Sequence, residues 1–338
     1  MKQMERQMAE KDEYFTSLVT NNKLNRVSLS YKMNDALQKI FKEITQFGEV
    51  MINTSSYELE VVRRKEKQPQ IVIAQAPYKS IDNISVTLQV TIDTELDDIT
   101  GCALFPDGRM MFSCFNLTRV RGFNKDGSKD KNFDISLQTN AAVDITYIHD
   151  NNTIAVTGGG CSHYISIIDL ESRRVKETIP VGSANHGIVN RNNTLIYCAG
   201  DCGIQMIHLS DKSVSNIVPR QMSQFAYITT FGDKLYYTNT DTQTVTCCDL
   251  HGTIQWEFND ESVLYYPLGI SVDNAGNVYV VGYLSDNVVV ISPDGQRHRQ
   301  LLSADDGLDG PKVIHSDRST NQLLVANYRG KAFLYKFE

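Results

Sequence analysis

Four polar side chains could bind a calcium ion and so support hydrolysis of a lactone or an ester: Asp144, His186, Asn239 and Asn327. Calcium prefers about six to eight oxygen ligands with several carboxylates among them, and this set offers a single carboxylate. Asn239 and Asn327 each follow an apolar run, where asparagine commonly begins a turn. A calcium-dependent lactonase or esterase is therefore the least favoured of three functional hypotheses.

The seven cysteines lack the spacing of a zinc site. Zinc modules need paired Cys or His ligands at close spacing, but Cys198 and Cys202 have no second pair, and Cys247 and Cys248 should point to opposite faces of a strand. No Ser-His-Asp motif or phosphate-binding loop is present. We therefore expect no catalytic residue, no metal and no cofactor, and reduced thiols inside strands.

The amino-terminal fifteen residues, MKQMERQMAEKDEYF, are charged where a secretory signal needs an apolar core. No apolar run approaches the ~20 residues of a membrane-spanning helix. Together with an odd number of cysteines, this predicts a cytoplasmic protein without membrane contact.

One pattern occurs six times along the chain. A polar turn leads into a four-residue apolar strand, and another strand follows roughly ten residues later. Successive copies lie 40 to 45 residues apart and begin at Arg109, Thr153, Thr194, Lys234, Asn277 and Gln322. This period is typical of propeller blades with four strands each, so we predict an all-β, six-bladed β-propeller over residues 84–338.

The sixth copy has no outer strand after it, because the sequence ends at Glu338. A strand-like run at residues 84–92, ISVTLQVTI, precedes the first blade and has no other assignment. We predict that it is the fourth strand of the last blade and closes the ring, which would remove an exposed edge.

Residues 1–67 precede this domain and are predicted to form a long helix. Apolar residues recur there at three- and four-residue steps, and no proline occurs before Pro69. The strictest spacing is expected to form a dimerising coiled coil, in either orientation, through Leu37, Ile40, Ile44, Phe47 and Met51. The alternative is a helix packed on its own propeller. Residues 68–83, with Pro69 and Pro77, are interpreted as a linker.

The fifth blade, PLGISVDNAGNVYV at residues 267–280, resembles an NHL repeat. With a coiled coil before it, the chain resembles the carboxy-terminal part of tripartite-motif proteins with NHL propellers, although its other five blades are degenerate. Such proteins usually carry RING and B-box zinc modules ahead of the coiled coil, and we expect neither here. The resemblance implies the substrate-recruiting half of a ubiquitin ligase.

One rim of the propeller is the expected binding face. Loops that join second to third strands, with loops that enter each first strand, should lie together there. Aromatic and charged residues suited to a protein interface fall in these loops, namely Phe115, Arg119, His163, Tyr164, Tyr265, Tyr266, Tyr283, Tyr328 and Arg329.

The charge distribution separates the remaining hypotheses. Residues 1–67 carry 12 basic and 10 acidic side chains, and the rest of the chain carries 21 and 30. An acidic propeller is a poor default ligand for phosphate backbones. The sequence thus favours an adaptor, not an enzyme, that binds a protein partner through one rim, with RNA binding on that rim as the alternative.

Overall fold

The computed structural model describes residues 81–137, 141–160 and 162–338. These residues form 24 strands, numbered in chain order and grouped into six four-stranded antiparallel sheets. The first strand, β1, spans Val86–Asp97. Blades 1 to 5 each contain four consecutive strands, and blade 6 contains three strands joined by β1.

The bounds of the remaining strands follow blade by blade: β2 (Ile99–Leu104), β3 (Met110–Cys114), β4 (Arg119–Phe123) and β5 (Lys129–Ser136); β6 (Ile145–Ile148), β7 (Thr153–Thr157), β8 (Tyr164–Asp169) and β9 (Arg174–Pro180); β10 (Ile188–Arg191), β11 (Thr194–Cys198), β12 (Ile204–His208) and β13 (Val214–Val218); β14 (Ile228–Phe231), β15 (Lys234–Asn239), β16 (Thr244–Asp249) and β17 (Ile254–Phe258); β18 (Pro267–Val272), β19 (Val278–Gly282), β20 (Asn287–Ile291) and β21 (His298–Leu302); β22 (Pro311–Asp317), β23 (Gln322–Asn327) and β24 (Arg329–Phe337). Four single-turn 3₁₀ segments accompany them, at Ile81–Asn83, His149–Asn151, Gly200–Cys202 and Ala304–Asp306.

The first strands of the six blades surround the axis. Each of β2, β6, β10, β14, β18 and β22 contacts the first strand of the next blade, and β22 returns to β2. The predicted all-β, six-bladed propeller is therefore confirmed. Each predicted apolar strand is the second strand of its blade.

The predicted closure of the ring is also confirmed. Strand β1 pairs antiparallel with β24, from Val86 opposite Phe337 to Asp97 opposite Arg329. A backbone hydrogen bond of 3.0 Å from Ile99 N to Tyr328 O continues the join into blade 1. The outer strand of blade 6 therefore comes from the start of the domain.

Glycine allows neighbouring first strands to approach closely. A Cβ atom on Gly187 would lie 2.6 Å from the Cα of Tyr227, and one on Gly269 would lie 2.8 Å from the Cα of Val313. Real Cβ atoms do not approach backbone so closely, because the van der Waals overlap is prohibitive. Gly187, directly before β10, and Gly269, in β18, therefore allow adjacent blades to pack closely.

Hydroxyl groups on second strands reinforce this contact. Ser113, Thr157 and Thr238 donate to main-chain carbonyls of the next blade, at 2.8 Å to Val143 O, 2.6 Å to His186 O and 2.9 Å to Leu268 O. All three hydroxyls are buried, and a buried hydrogen bond contributes roughly 1 kcal/mol net. The same device thus recurs at three blade junctions.

Burial follows position within the blade. The five residues of β20 are all buried, because neighbouring blades cover both faces of a central strand, whereas the outer strand β17 alternates between exposed and buried side chains. Cys247 and Cys248 belong to different apolar clusters, which confirms their opposite orientation. The six described cysteines are free, and five of them are buried.

The predicted coiled coil lies outside the described residues, as do Leu37, Ile40, Ile44, Phe47 and Met51. Of the predicted linker, only Ile81–Asn83 is described, as a 3₁₀ turn. Within the part of the chain that the structure describes, no helix has the length and apolar character needed to cross a membrane.

Candidate functional site

The two faces of the propeller are built from different loops. The upper rim is defined here as the loops joining second to third strands and the loops that lead into each first strand, together with the strand ends that these loops join. The lower face contains the turns between first and second strands and between third and fourth strands. This division follows from the antiparallel order of each sheet and the closed ring of first strands.

Exposed apolar side chains are concentrated on the upper rim. Nine large apolar residues are exposed among the described residues. Three of them, Leu88, Val214 and Ile254, lie in outer strands. The other six lie on the upper rim and are between 39% and 53% exposed: Phe115, Leu117, Tyr164, Phe225, Tyr265 and Leu284.

Three tyrosines form a ladder across blades 5 and 6. The ring centroids of Tyr266 and Tyr283 are 5.9 Å apart, and those of Tyr283 and Tyr328 are 6.1 Å apart. Two cations lie over the Tyr328 ring, with Lys312 Nζ at 4.7 Å and Arg329 Cζ at 5.7 Å from its centroid. The structure therefore brings together four of the predicted rim residues: Tyr266, Tyr283, Tyr328 and Arg329.

Tyr266 is held in a costly backbone conformation. Its φ is 58°, in the left-handed region that a bulky residue rarely adopts. Two hydrogen bonds fix it there: Tyr266 N donates to Gln243 Oε1 at 2.8 Å, and Tyr283 N donates to Tyr266 O at 3.1 Å. The ladder is therefore set by the backbone before any ligand arrives.

A buried ion pair lies beneath the ladder. Lys312 Nζ donates to Asp98 Oδ1 at 3.0 Å, and both side chains are about one-tenth exposed. Burial lowers the pKa of Lys312, and the charge of Asp98 opposes that effect. Beside the pair, Asp97, Asp98, Asn116, Tyr328 and Arg329 line a cavity of about 270 Å³.

Sequence reasoning does not pair Asp98 with Lys312, because their contact depends on blade 6 meeting blade 1. Lys312 lies near the start of β22, the first strand of blade 6, and the carboxylate of Asp98 balances its charge there.

The remaining predicted rim residues are not part of the ladder. Arg119 is paired with Asp134 at 3.3 Å. His163 and Tyr164 are exposed in blade 2, and Phe115 is exposed in blade 1. Tyr265 precedes the ladder and donates its backbone N–H to Ser285 Oγ at 3.1 Å.

Three of the four side chains considered for calcium make local hydrogen bonds. Asp144 accepts hydrogen bonds from Ile145 N and Ile188 N, each at 2.9 Å. Asn239 accepts from Asp241 N at 3.0 Å, and Asn327 donates to Gly307 O at 3.1 Å. His186 is buried, and desolvation lowers its pKa to about 4. Within the described ranges, no three His, Cys, Asp or Glu residues form a group that could hold a metal ion.

Comparison with known proteins identifies the fold through solved structures. No protein-family model and no curated protein matches the chain. A protein of unknown function from Bacteroides thetaiotaomicron has a TM-score of 0.63 at 13% identity, covering 75% of this chain and 76% of its own. A chain of a nidogen/laminin complex has a TM-score of 0.56 at 13% identity, covering 65% and 84%. Virginiamycin B lyase from Staphylococcus aureus has a TM-score of 0.55 at 14% identity, covering 75% and 99%.

These similarities define the class of the protein as a six-bladed β-propeller and correct one prediction. The expectation that the chain is not an enzyme is contradicted, because virginiamycin B lyase is an enzyme with a similar propeller fold. The sequence argument was wrong to exclude catalysis from missing motifs, since propellers can assemble sites from side chains of several blades. At this identity the likeness shows the fold alone, so enzymatic activity is unconfirmed.

Proposed function

We propose that the propeller binds a protein partner through its upper rim. One observation carries the proposal: six of the nine exposed large apolar residues in the described part of the chain lie on this rim. These residues belong to loops and strand ends of several blades, and their concentration on one face of the ring favours an interaction surface there.

The tyrosine ladder supplies the expected centre of the interface. Tyrosine and arginine are enriched among the residues that carry most of the binding energy in protein complexes. Tyr283 already contacts both Tyr266 and Tyr328, so these side chains lose little freedom when a partner binds. Tyr265 and Leu284 flank the ladder and are exposed.

Charge favours a protein partner with basic side chains over RNA. Asp97, Asp201, Asp241 and Asp309 are exposed on the upper rim. Two of its cations are already paired, Arg119 with Asp134 and Lys312 with Asp98. An RNA ligand would need unpaired cations to neutralise its phosphates, whereas a peptide with Lys or Arg beside apolar residues complements both features of the rim.

The resemblance to tripartite-motif proteins with NHL propellers extends the proposal. In this arrangement the rim would recruit a protein, and the segment of residues 1–67 would pair two copies and raise avidity for a multivalent partner. The similar propeller in a nidogen/laminin complex supports the general idea that this fold can take part in protein assemblies.

The test compares binding of short peptides that differ in charge and aromatic content. We expect peptides with Lys or Arg beside apolar residues to bind, and the double variant Tyr283→Ala, Tyr328→Ala to weaken binding at least about tenfold, the usual loss for truncating hot-spot tyrosines. The matched control is Val214→Ala, Ile254→Ala, which removes exposed apolar side chains from outer strands.

Fluorescence anisotropy with labelled peptides gives the affinities. Equal losses in the rim and control variants would refute the proposal. Preferential binding of single-stranded RNA that is weakened by Arg119→Glu and Arg329→Glu would establish the alternative ligand.

A further inference from the structure

A second concave site lies on the propeller axis. A cavity of about 240 Å³ is lined by residues from all six first strands. It reaches the lower face, where Pro106, His149 and Arg318 line it. It is thus separate from the ladder and cavity of the upper rim.

Tyr227 closes the upper end of this cavity. Its hydroxyl donates to Thr100 O at 2.6 Å. Tyr227 leads into the first strand of blade 4 and Thr100 lies in the first strand of blade 1, and these two blades face each other in a ring of six. Because the side chain crosses the axis, the lower face is the route by which solutes would enter. We call the cavity below Tyr227 the axial pocket.

Asp144 presents a carboxyl group in the axial pocket without a cation to balance it. Its two oxygens accept backbone N–H groups from Ile145 and Ile188. Burial raises its pKa to about 7, and these two hydrogen bonds only partly oppose that rise. The ionisable groups whose pKa values respond to its charge are uncharged at neutral pH: Cys102, Cys198 and Tyr227.

The other titratable groups of the pocket do not supply the missing charge. Arg318 donates to Val272 O at 3.0 Å and to Thr230 O at 2.6 Å, and it lies over the Phe231 ring at 4.9 Å. Burial lowers the pKa of His315 to about 4, so it is neutral near pH 7. Tyr147, His149 and Asp317 complete the titratable lining, and Asp317 accepts hydrogen bonds from Ser319 and Thr320.

An unpaired acceptor lies in the same pocket. Asn190 Oδ1 is buried without a hydrogen-bond partner, and Asn190 lines the cavity. It follows Ile188 by two residues on β10, so its side chain lies on the same face of that strand. Buried polar atoms are normally hydrogen-bonded, so this atom can accept a hydrogen bond from a ligand.

We propose that the axial pocket binds a small primary amine in its ammonium form, which pairs with the Asp144 carboxylate and donates a hydrogen bond to Asn190 Oδ1. The ligand then provides a positive charge for the Asp144 carboxylate and a hydrogen-bond donor for Asn190 Oδ1. Apolar side chains of Ile145, Ile188, Ile228 and Ile314 line the pocket and would contact its short alkyl chain.

Binding should be linked to the protonation of Asp144. The amine binds the ionised carboxylate, so below about pH 7 it must displace a proton. About one tenth of the Asp144 carboxyl groups are ionised at pH 6, and most are ionised at pH 8. The affinity for the amine should therefore be about tenfold weaker at pH 6 than at pH 8.

Isothermal titration of the full chain with propylammonium chloride tests this inference at fixed ionic strength. We expect saturable binding at pH 8, about tenfold weaker binding at pH 6 with proton release, and weaker binding of tetramethylammonium, which has no N–H donor. Asp144→Asn should abolish binding, and Asp150→Asn, an exposed change on the same blade, should preserve it.

If the Asp144→Asn variant fails to fold, a measurement on the wild-type protein still tests whether the amine binds at Asp144. The carboxyl ¹³C signal of Asp144 should titrate at lower pH when propylammonium is present. An unshifted midpoint, equal affinities at pH 6 and pH 8, or absence of binding at pH 8 would each overturn the proposal. The peptide-binding test addresses the other face, so the two proposals can fail separately.

Discussion

Removing the ionisable group at Asp144 should change how the stability of the propeller depends on pH. Its pKa in the folded protein is about 7, against an ordinary value of 3.8. The folded state therefore holds a proton that the unfolded chain releases between about pH 4 and 7. Over this range the group lowers the free energy of unfolding by about 1.4 kcal/mol for each unit of rising pH, or about 4 kcal/mol in total.

Two histidines, one buried and one half-buried, act with the opposite sign. The pKa values of His186 and His315 are lowered from 6.5 to about 4 by burial, so between these limits the unfolded chain binds protons that the folded state does not. Each adds about 1.4 kcal/mol per pH unit to the free energy of unfolding as pH rises. With Asp144 included, the wild type should gain about 1.4 kcal/mol per unit between pH 5 and 6.5.

Asp144→Asn should double that slope, to about 2.7 kcal/mol per pH unit, because the opposing contribution disappears. Any hydrogen bonding that is lost when the Asp144 carboxylate becomes an amide changes the free energy of unfolding by the same amount at every pH. It therefore leaves the slope against pH unchanged. Urea denaturation at several pH values measures both slopes, at low protein concentration because the sequence pI is about 5.6. The exposed change Asp150→Asn serves as the control. Equal slopes for wild type and Asp144→Asn would refute the reasoning.

Three further predictions concern how the ring is held together. Tyr227→Phe removes the bond across the axis and leaves Thr100 O without its donor, so urea denaturation should show a loss of about 1–3 kcal/mol; an unchanged midpoint would mean that the bond is not maintained in solution. Gly269→Ala forces a Cβ against Val313 and should cost about 1–3 kcal/mol, whereas Gly182→Ala, which meets nothing within 4 Å, should be nearly neutral; similar losses for both would contradict the packing argument. Hydrogen exchange should show protected amides at residues 86–92, and rapid exchange there would mean that the join between β1 and β24 is open.

The ring could be predicted from sequence because each blade carries its own signal. In blade 5, a glycine-containing turn leads into the apolar run Asn277–Val280, and a second apolar run follows it. The same spacing of turn and apolar runs recurs throughout the domain. Closure could be predicted because residues 84–92 were the strand-like run left without a partner after the blades had been assigned, and one blade lacked an outer strand.

The sites were less accessible to sequence reasoning, because they depend on contacts between blades. Tyr283 and Tyr328 were identified as rim residues, but their ring contact requires the loops of blades 5 and 6 to converge. Tyr227 gives no periodic signal, since its contact with Thr100 crosses the full ring. Asp144 was considered as a metal ligand, and only the structure shows it in an axial cavity that Asn190 also lines.

The pairing of β1 with β24 also constrains biosynthesis. A ribosome makes β1 first among the described strands and β24 last, so β1 has no partner while the five intervening blades are being translated. A nascent chain at that stage exposes a strand edge that could pair with another polypeptide. Molecular chaperones would have most reason to engage this protein during that interval, and premature termination before β24 would leave the edge permanently unprotected.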